Sequence, residues 1–370
     1  MSARRSLGAW WLTAVLLGAA GCAAPLQSEG VGDTARHHYV IGMKFLETNE
    51  PDRAQEEFER ARGLAPSFPP AWHGLGLVAL ARGDFGAAEE HLKTAKSHDW
   101  RWVAPYLDLA RVYMAKGDLD RARGEAEEAL RLAPKNARAH VVHGQVLMKA
   151  FEFEKAERSF SRAMSLEPDN AAARREWDRS VKIRQAAPGT LVGKRIALAD
   201  PITRGELAAL LATELGVERH LRGRRPELFD PSFRPPGGPS SAPAAPTTPS
   251  DVTGHWARNA IELVMRLHLM DAYPDETFRP DEPVTRAGFA TTLEQVLSVV
   301  VNDSGIKTRY LGQQSPFPDL RGDHFAFNAA ILATTRGLME AERPSGAFRL
   351  TNAVSGPEAL LAMRKLAELF

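Results

Sequence analysis

The chain has 370 residues, of which 44% are hydrophobic and 25% charged, a composition typical of globular domains and not of disordered or fibrous proteins. Its formal net charge of +1 excludes a strongly basic surface, so neither nucleic acid nor an anionic lipid surface is expected as an electrostatic partner. A single cysteine excludes an intrachain disulfide and a cysteine-rich metal site.

The first residues have the pattern of an export signal. Arg4 and Arg5 precede an uncharged, largely apolar run at residues 7–20. This run is shorter than the roughly 20 apolar residues that a membrane-spanning helix requires. We therefore predict a signal peptide at residues 1–21, cleaved before Cys22.

The segment from Leu17 to Cys22 resembles the lipobox of bacterial lipoproteins, in which small residues admit the peptidase and the cysteine thiol is diacylated. The resemblance implies lipidation of Cys22 and anchoring in the cell envelope through paired acyl chains, followed by a tether at residues 22–32. Ala23 replaces the Asp that retains such proteins at the inner membrane, which favours the outer membrane, facing the periplasm. A plain secreted protein with an incidental cysteine is the alternative.

From residue 33 onward an apolar marker returns every 34 residues. It consists of Ala54, Phe58 and Ala61 in the first unit, and a second apolar set lies upstream of it in each unit. Spacings of three and four residues fall on one helix face, so each unit is predicted to be a pair of helices. The later copies of the marker are Ala88, Leu92 and Ala95; Ala122, Ala126 and Ala129; and Ala156, Phe160 and Ala163.

Small residues in the upstream sets are predicted to let the two helices of a unit approach closely. They stand at Gly42, Gly76, Ala110 and Gly144. This pattern matches the tetratricopeptide repeat (TPR), which implies an α-solenoid of four repeats plus a polar capping helix at residues 33–185. The resemblance implies a groove for a protein or peptide partner, and a simple spacer is the alternative.

Two histidines in the fourth unit have the spacing of a metal pair. His140 and His143 lie one helical turn apart, but both fall on repeat positions that face the neighbouring helix. We therefore interpret them as packing residues, and no metal site or cofactor is predicted anywhere in the chain.

The C-terminal part contains copies of a second motif. The most complete copy, at residues 251–300, runs from Gly254-His255-Trp256-Ala257 through an apolar helix to Val284-Thr285-Arg286. It resembles the S-layer homology (SLH) motif, of which three usually form a helical module. A degenerate copy is predicted at residues 315–370 and a partial first copy at 186–225, separated by a proline-rich linker or insertion at 226–250.

In the SLH family, the arginine and tryptophan of the motif line grooves for cell-wall glycan, which implicates Arg204, Trp256 and Arg286 here. A guanidinium suits a carboxylate or phosphate on a sugar, and backbone amides at a helix start can receive an anion. The third copy has Gly356 and Phe325 at these positions, so two grooves at most are expected. Capping boxes, Thr203 with Glu206 and Ser355 with Glu358, are also predicted, and a purely structural role is the alternative.

Together these patterns predict an all-α protein: a TPR solenoid followed by a helical SLH-type module. The predicted function is that of a membrane-anchored, non-enzymatic scaffold that binds a protein partner and cell-wall glycan, either peptidoglycan or an associated polysaccharide. No catalytic constellation is recognisable in the sequence. The alternative is a lipoprotein subunit of an envelope secretion or surface-polymer assembly machine whose SLH motifs contact protein only. Arg286 is expected to be exposed, so that its replacement would barely affect folding.

Overall fold

The computed structural model describes Gly30 and residues 33–225, 228–229 and 248–370. All regular elements in these residues are helical, with only two isolated β-bridges, which confirms the all-α fold class. None of the helices within these ranges combines the length and hydrophobicity that a membrane-spanning segment requires. Cys22, the signal peptide and most of the linker lie outside the described residues. The chain divides into two compact units, the first ending at Val112 and the second beginning at Tyr113.

The first unit is built from helical hairpins. Their first helices begin at residues 35, 69 and 103, at intervals of 34 residues, which confirms the period predicted from the sequence. Asp84, which caps the second helix of the second hairpin, accepts a hydrogen bond from the Ala87 amide (2.9 Å). The helices are α1 (Ala35–Glu47), α2 (Pro51–Leu64), α3 (Pro69–Ala81), α4 (Phe85–His98) and α5 (Val103–Lys116), whose last residues belong to the second unit.

The two helices of a hairpin approach each other closely where the sequence has a small residue, as predicted. The ring of Phe58 is fully buried between α1, α2 and α3, and a methyl group at Gly42 would lie 2.6 Å from it. In the next hairpin a methyl group at Gly76 would lie 2.7 Å from Leu92. Non-bonded carbon atoms do not approach so closely, so an aromatic or branched side chain on one helix requires glycine on its neighbour.

A cluster of charged side chains joins the start of α1 to α2. His38 lies 2.7 Å from the carboxylate of Asp33 and 2.6 Å from that of Glu57, and Arg60 also bonds to Asp33 (2.6 Å). Burial alone would lower the pKa of His38, but the hydrogen bonds to Glu57 and Asp33 outweigh it and raise the pKa above 6.5. Asp33, two residues before α1, is therefore held against the second helix.

The second unit continues the hairpins and then changes architecture. Gly144 and Phe160 repeat the close approach, because a methyl group at Gly144 would lie 2.5 Å from the ring of Phe160. The helices are α6 (Leu119–Leu132), α7 (Ala137–Lys149), α8 (Phe153–Leu166), α9 (Ala171–Ala186), α10 (Leu191–Ile196), α11 (Arg204–Ala209), α12 (Val217–Arg222), α13 (Arg258–Arg266), α14 (Arg286–Val301), α15 (Phe327–Thr335) and α16 (Gly356–Glu368).

Helix α9 packs on two sides, unlike the free polar cap expected after the fourth repeat. One face lies against α8 and another against α16, with Ser180 and Ile183 fully buried. Arg364 on α16 donates to the Gln185 carbonyl at the end of α9. A hydrophobic core therefore runs without interruption from α7 to the C-terminal helix. The domain boundary near residue 186 stays a prediction about folding units.

Three motifs pack against one another in the C-terminal part of this unit. The second helix of one motif packs against the first helix of the next: α11 against α13, α14 against α15, and α16 against α9. Helix α9 thus stands where the first helix of the first motif belongs. The partial first copy at residues 186–225 is therefore completed by a helix that the repeat pattern had assigned to the end of the solenoid.

Candidate functional site

The three motifs meet in a ring of backbone hydrogen bonds. The amide of Ile202 donates to the carbonyl of Val354, Val354 donates to Val284, and Val284 donates back to Ile202, each at 2.9 Å. All three side chains are buried. Because one residue from each motif closes the ring, the positions that follow it in each motif are structurally equivalent. These positions are Arg204, Arg286 and Gly356, each at the start of a helix.

The helix starts after this ring are already occupied by the protein's own carbonyl groups. The first two amides of α11 donate to Glu282 and Pro280, and those of α14 donate to Asn352 and Leu350, at 2.8–3.0 Å. The next amide in each helix bonds to the threonine hydroxyl that caps it. The prediction that these amides could receive an anion is therefore wrong, because the neighbouring motif uses them to close the module.

The predicted capping boxes are present at one helix and absent at another. Thr203 accepts from the Glu206 amide (3.2 Å) while the Glu206 carboxylate accepts from the Thr203 amide (2.8 Å), so the first box is confirmed. At α16, however, the Ser355 side chain makes no capping hydrogen bond. Glu358 forms an ion pair with Arg286 instead, because the fold brings these two residues together although they are 72 positions apart in the sequence.

Arg286 is buried, which contradicts the expectation that it projects into solvent. Only 8% of its surface is exposed. Its Nε donates to the Phe348 carbonyl (2.7 Å), one terminal nitrogen donates to the Glu340 carbonyl (2.6 Å), and the other pairs with Glu358. The ring of Phe348 lies 4.9 Å from the guanidinium carbon. Arg286 therefore fastens the second motif to the third.

The cleft beside Arg286 is acidic. It has a volume of about 280 Å³ and is lined by three glutamates and two arginines. Since the carboxylate of Glu358 already engages the guanidinium, an anionic ligand here would meet repulsion and would have to displace an existing ion pair. The residues that carry the charge are Arg286, Arg349, Glu340, Glu342 and Glu358.

Arg204 occupies the equivalent position in the first motif, but its guanidinium has fewer hydrogen-bond partners than that of Arg286. It donates to the carbonyls of Phe278 (2.8 Å) and Asp271 (2.9 Å) and is half-buried. No carboxylate pairs with it in the part of the chain that the structure describes. Burial lowers the pKa of Arg204, because the charged guanidinium loses hydration and the carboxylates of Glu282 and Asp271, which do not form an ion pair with it, offset that loss only in part. An anionic ligand would supply the missing partner.

Aromatic and charged side chains that the sequence reasoning did not single out surround Arg204. The guanidinium lies 4.6 Å from the ring of Tyr273, and Arg279 covers the same ring at 4.2 Å. Asp275 pairs with Arg279, and hydrogen bonds from Thr277 and Arg279 lower the pKa of Asp275 to about 2. These residues belong to the Tyr-Pro-Asp turn of the second motif. The fold places that turn against the first motif, which the sequence alone does not indicate.

Trp256 is an exposed aromatic residue next to the first motif. Its side chain is 61% exposed, although tryptophan is usually buried in globular proteins. The preceding residue, His255, packs against the start of α11 so closely that a methyl group at Gly205 would lie 2.8 Å from the imidazole. Trp256 thus directly follows a histidine that contacts the helix start carrying Arg204. Phe325, at the equivalent position of the third motif, is 78% exposed.

Gly356, the third of the equivalent helix starts, leaves no room for a side chain. Gly356 has no side chain to offer, and a methyl group there would overlap the carbonyl of Ile196. The amide of Gly356 donates to the carbonyl of Ala199 (2.9 Å). No arginine could stand here without moving the backbone of the first motif. The expectation that this copy lacks an arginine-based groove agrees with the geometry, since the chain itself fills the space.

The described residues contain no cluster of three or more His, Cys, Asp or Glu side chains that could hold a metal ion. The Nδ1 atom of His143 is hydrogen-bonded to the Ser159 hydroxyl (3.0 Å), and Nε2 of His140 donates to the Pro134 carbonyl (3.0 Å). His143 thus bonds to the second helix of its own repeat, in agreement with a packing role, whereas the partner of His140 lies in the turn before α7.

Comparison with protein families identifies both repeat types. Residues 39–99 and 79–146 match tetratricopeptide repeat models, and residues 250–290 match the S-layer homology domain. The two resemblances drawn from the sequence are therefore confirmed for these segments. A crystal structure of a thermophilic TPR protein from Thermus thermophilus is 24% identical, with a TM-score of 0.37; the match covers 51% of this chain and 96% of that one.

The curated relatives are much longer proteins. Cellulose synthase operon protein C of Xanthomonas axonopodis pv. citri is 32% identical over 140 residues, covering 36% of this chain and 9% of the relative. A cellulosome-anchoring protein of Acetivibrio thermocellus is 31% identical over 96 residues, covering 26% of this chain and 17% of the relative. Cell surface glycoprotein 1 of the same organism is 29% identical over 169 residues, 45% of this chain and 6% of its own. The chain thus spans less than a fifth of the length of each.

Proposed function

We propose that this protein is a non-enzymatic scaffold of the cell envelope, anchored by lipid at Cys22, that binds a protein partner through its TPR repeats and cell-wall glycan through its SLH module. The observation that carries the glycan part is the guanidinium of Arg204 in the first motif. It has no ion-pair partner among the described residues, and exposed Trp256 follows His255, which contacts the same helix start.

The chemistry of these two side chains fits a sugar that bears an acidic group. The guanidinium of Arg204 would bind a carboxylate or phosphate, and Trp256 would cover an apolar face of the ring. Arg286 is better suited to a supporting role, because its guanidinium is buried and pairs with Glu358. We therefore assign glycan contact to Arg204 and Trp256, and to Arg286 the task of holding the second and third motifs together.

Binding to purified wall sacculi, measured by co-sedimentation of the full chain, tests the proposal. We expect Trp256→Ala and Arg204→Gln each to weaken binding by about ten-fold, corresponding to about 1.4 kcal/mol. Arg266→Gln is the matched control, since Arg266 is exposed and has no ion-pair partner among the described residues; it should leave binding unchanged. Equal binding by the parent and the Trp256 and Arg204 variants would contradict the assignment.

The lipid anchor is tested separately by Cys22→Ser. The proposal is supported by the single cysteine that follows an apolar run and small residues. We expect the variant to leave the membrane fraction or to remain unprocessed, because diacylation needs the thiol and one or two acyl chains decide membrane retention. Normal processing together with unchanged membrane association would refute the anchor.

A second candidate function is that of a subunit in an envelope secretion or surface-polymer assembly machine, with SLH motifs that contact protein only. The similarity to cellulose synthase operon protein C favours it, since that relative is named for a polymer-synthesis operon. The parent chain would then fail to sediment with sacculi, while the repeats would still bind a protein partner. The sacculus experiment therefore separates the two functions.

A further inference from the structure

A cleft in the second unit concentrates positive charge although the whole chain is nearly neutral. It has a volume of about 420 Å³ and lies between α6, α7 and α8. Four cationic side chains line it, against a single carboxylate, Glu127. The cations are Arg123, Lys155, Arg158 and Arg162.

Two of these four cations share one carboxylate, and the other two have none among the residues that the structure describes. Arg123 and Lys155 both pair with Glu152 at the edge of α8. Arg158 and Arg162 are exposed, and neither has a carboxylate partner within the described ranges; Arg162 contacts only the Ser165 hydroxyl (3.4 Å). The uncompensated charge of the cleft therefore belongs to one face of α8.

The floor of the cleft is uncharged and partly apolar. Leu130 and Leu147 line it together with His143 and Ser159, which are hydrogen-bonded to each other. Burial lowers the pKa of His143, so its ring is neutral near pH 7. A ligand would thus meet two exposed cations and the half-buried aliphatic side chain of Leu130, whereas Leu147 is only 3% exposed.

The spacing of the two free cations selects a ligand geometry. Arg158 and Arg162 are four residues apart on α8, which places them about 6 Å apart along the helix axis. Carboxylates four residues apart on a helix have the same separation, and those two residues apart on a strand are about 6.6 Å apart. Polypeptides that carry paired acidic residues therefore match this wall in either conformation.

We propose that this cleft binds an acidic segment of a partner protein, with two carboxylates on Arg158 and Arg162 and an aliphatic side chain on Leu130. The inference rests on the proposed role of the repeats as a protein-binding part and names the chemistry of the partner. An anionic polysaccharide could also satisfy the two arginines, but it has no aliphatic side chain for the floor. Charge and apolar surface together thus favour a protein.

The test uses the full chain and a fluorescent helical peptide with glutamates four residues apart beside a leucine, followed by anisotropy. We expect Arg158→Gln with Arg162→Gln to weaken binding about ten-fold, since two exposed ion pairs are lost. Lys135→Gln with Lys149→Gln removes two exposed charges of the same unit outside the cleft and should change affinity less than two-fold. Replacing the glutamates of the peptide by glutamine should weaken binding as much as the cleft variant does.

The proposal fails if the parent does not bind the acidic peptide, or if the cleft and control variants lose affinity equally. It also fails if the cleft variant still binds the peptide but no longer binds polygalacturonate, which serves as the anionic polysaccharide. Arg158→Lys with Arg162→Lys should retain most of the affinity, which excludes misfolding as the cause of a loss. Sacculus binding, measured on the same proteins, should not change in the cleft variant. Failure of the parent to bind sacculi would refute the glycan part of the proposed function and leave the cleft inference standing.

Discussion

Replacement of Arg286 by alanine is expected to destabilise the C-terminal module, although the residue occupies a motif position associated with ligand binding. The guanidinium joins α14 to the third motif through the carbonyls of Phe348 and Glu340 and through the carboxylate of Glu358. Alanine would remove all three connections and leave the partners in place. Unlike an exposed side chain, this one cannot be deleted without leaving polar groups unsatisfied.

The magnitude follows from the burial of each partner. The carbonyl of fully buried Phe348 loses a charged donor, and an unsatisfied buried acceptor costs about 1–3 kcal/mol; the carbonyl of Glu340, an exposed residue, costs less because water can reach it. The ion pair contributes less, about 1 kcal/mol at most, because the side chain of Glu358 is 33% exposed and can be hydrated. Water entering the adjacent cleft offsets part of the loss at the carbonyls. We therefore expect a loss of about 3 kcal/mol, most of it from the carbonyl contacts of Arg286.

Thermal unfolding of the full chain, followed by circular dichroism, measures this loss. At about 2–4 °C per kcal/mol for a unit of this size, the transition that includes α14 should fall by roughly 6–12 °C. Arg266→Ala, an exposed arginine of the same module, should shift it by no more than about 2 °C, corresponding to about half a kcal/mol. Glu358→Gln should cost less than Arg286→Ala, because it leaves both carbonyl contacts intact. If Arg286→Ala melts within 2 °C of the parent, or if Glu358→Gln is the more damaging change, the reasoning is refuted.

Two further predictions concern the repeats. Because the pKa of His38 is raised in the folded protein, its stabilising contribution is complete below about pH 6.5 and is lost as the pH rises through the raised folded value. The protection factors of amides in α1, corrected for the intrinsic pH dependence of exchange, should fall over that interval in the parent, whereas His38→Gln should show no such step; an identical step in both would rule the histidine out. Gly144→Ala should lower the unfolding temperature by several degrees through overpacking against Phe160, at about 1–3 kcal/mol. Adding Phe160→Leu should recover part of the loss, and strictly additive losses would contradict the close contact.

The helices of the repeats were predictable from the sequence because their determinants are local. Each hairpin is formed by residues within one 34-residue unit, and the positions of Gly42, Phe58, Gly144 and Phe160 specify which faces meet. The same holds for the cap of α11, where Thr203 and its partner are three residues apart. Interactions of this range appear in the sequence as spacing, so their outcome follows from pattern alone.

The roles of the site residues depended on contacts that no spacing reveals. The partners of Arg286 lie 54, 62 and 72 residues away. Because of them, an arginine that was expected to be exposed is buried and joins two motifs. The turn that bonds Arg204 likewise belongs to the next motif, 67–74 residues further on. The sequence by itself determined the helices, the repeat period and the two motif types. The tertiary structure alone decided that α9 serves two modules and which arginine keeps an unpaired charge, because burial and ion pairing depend on which distant segments share a surface.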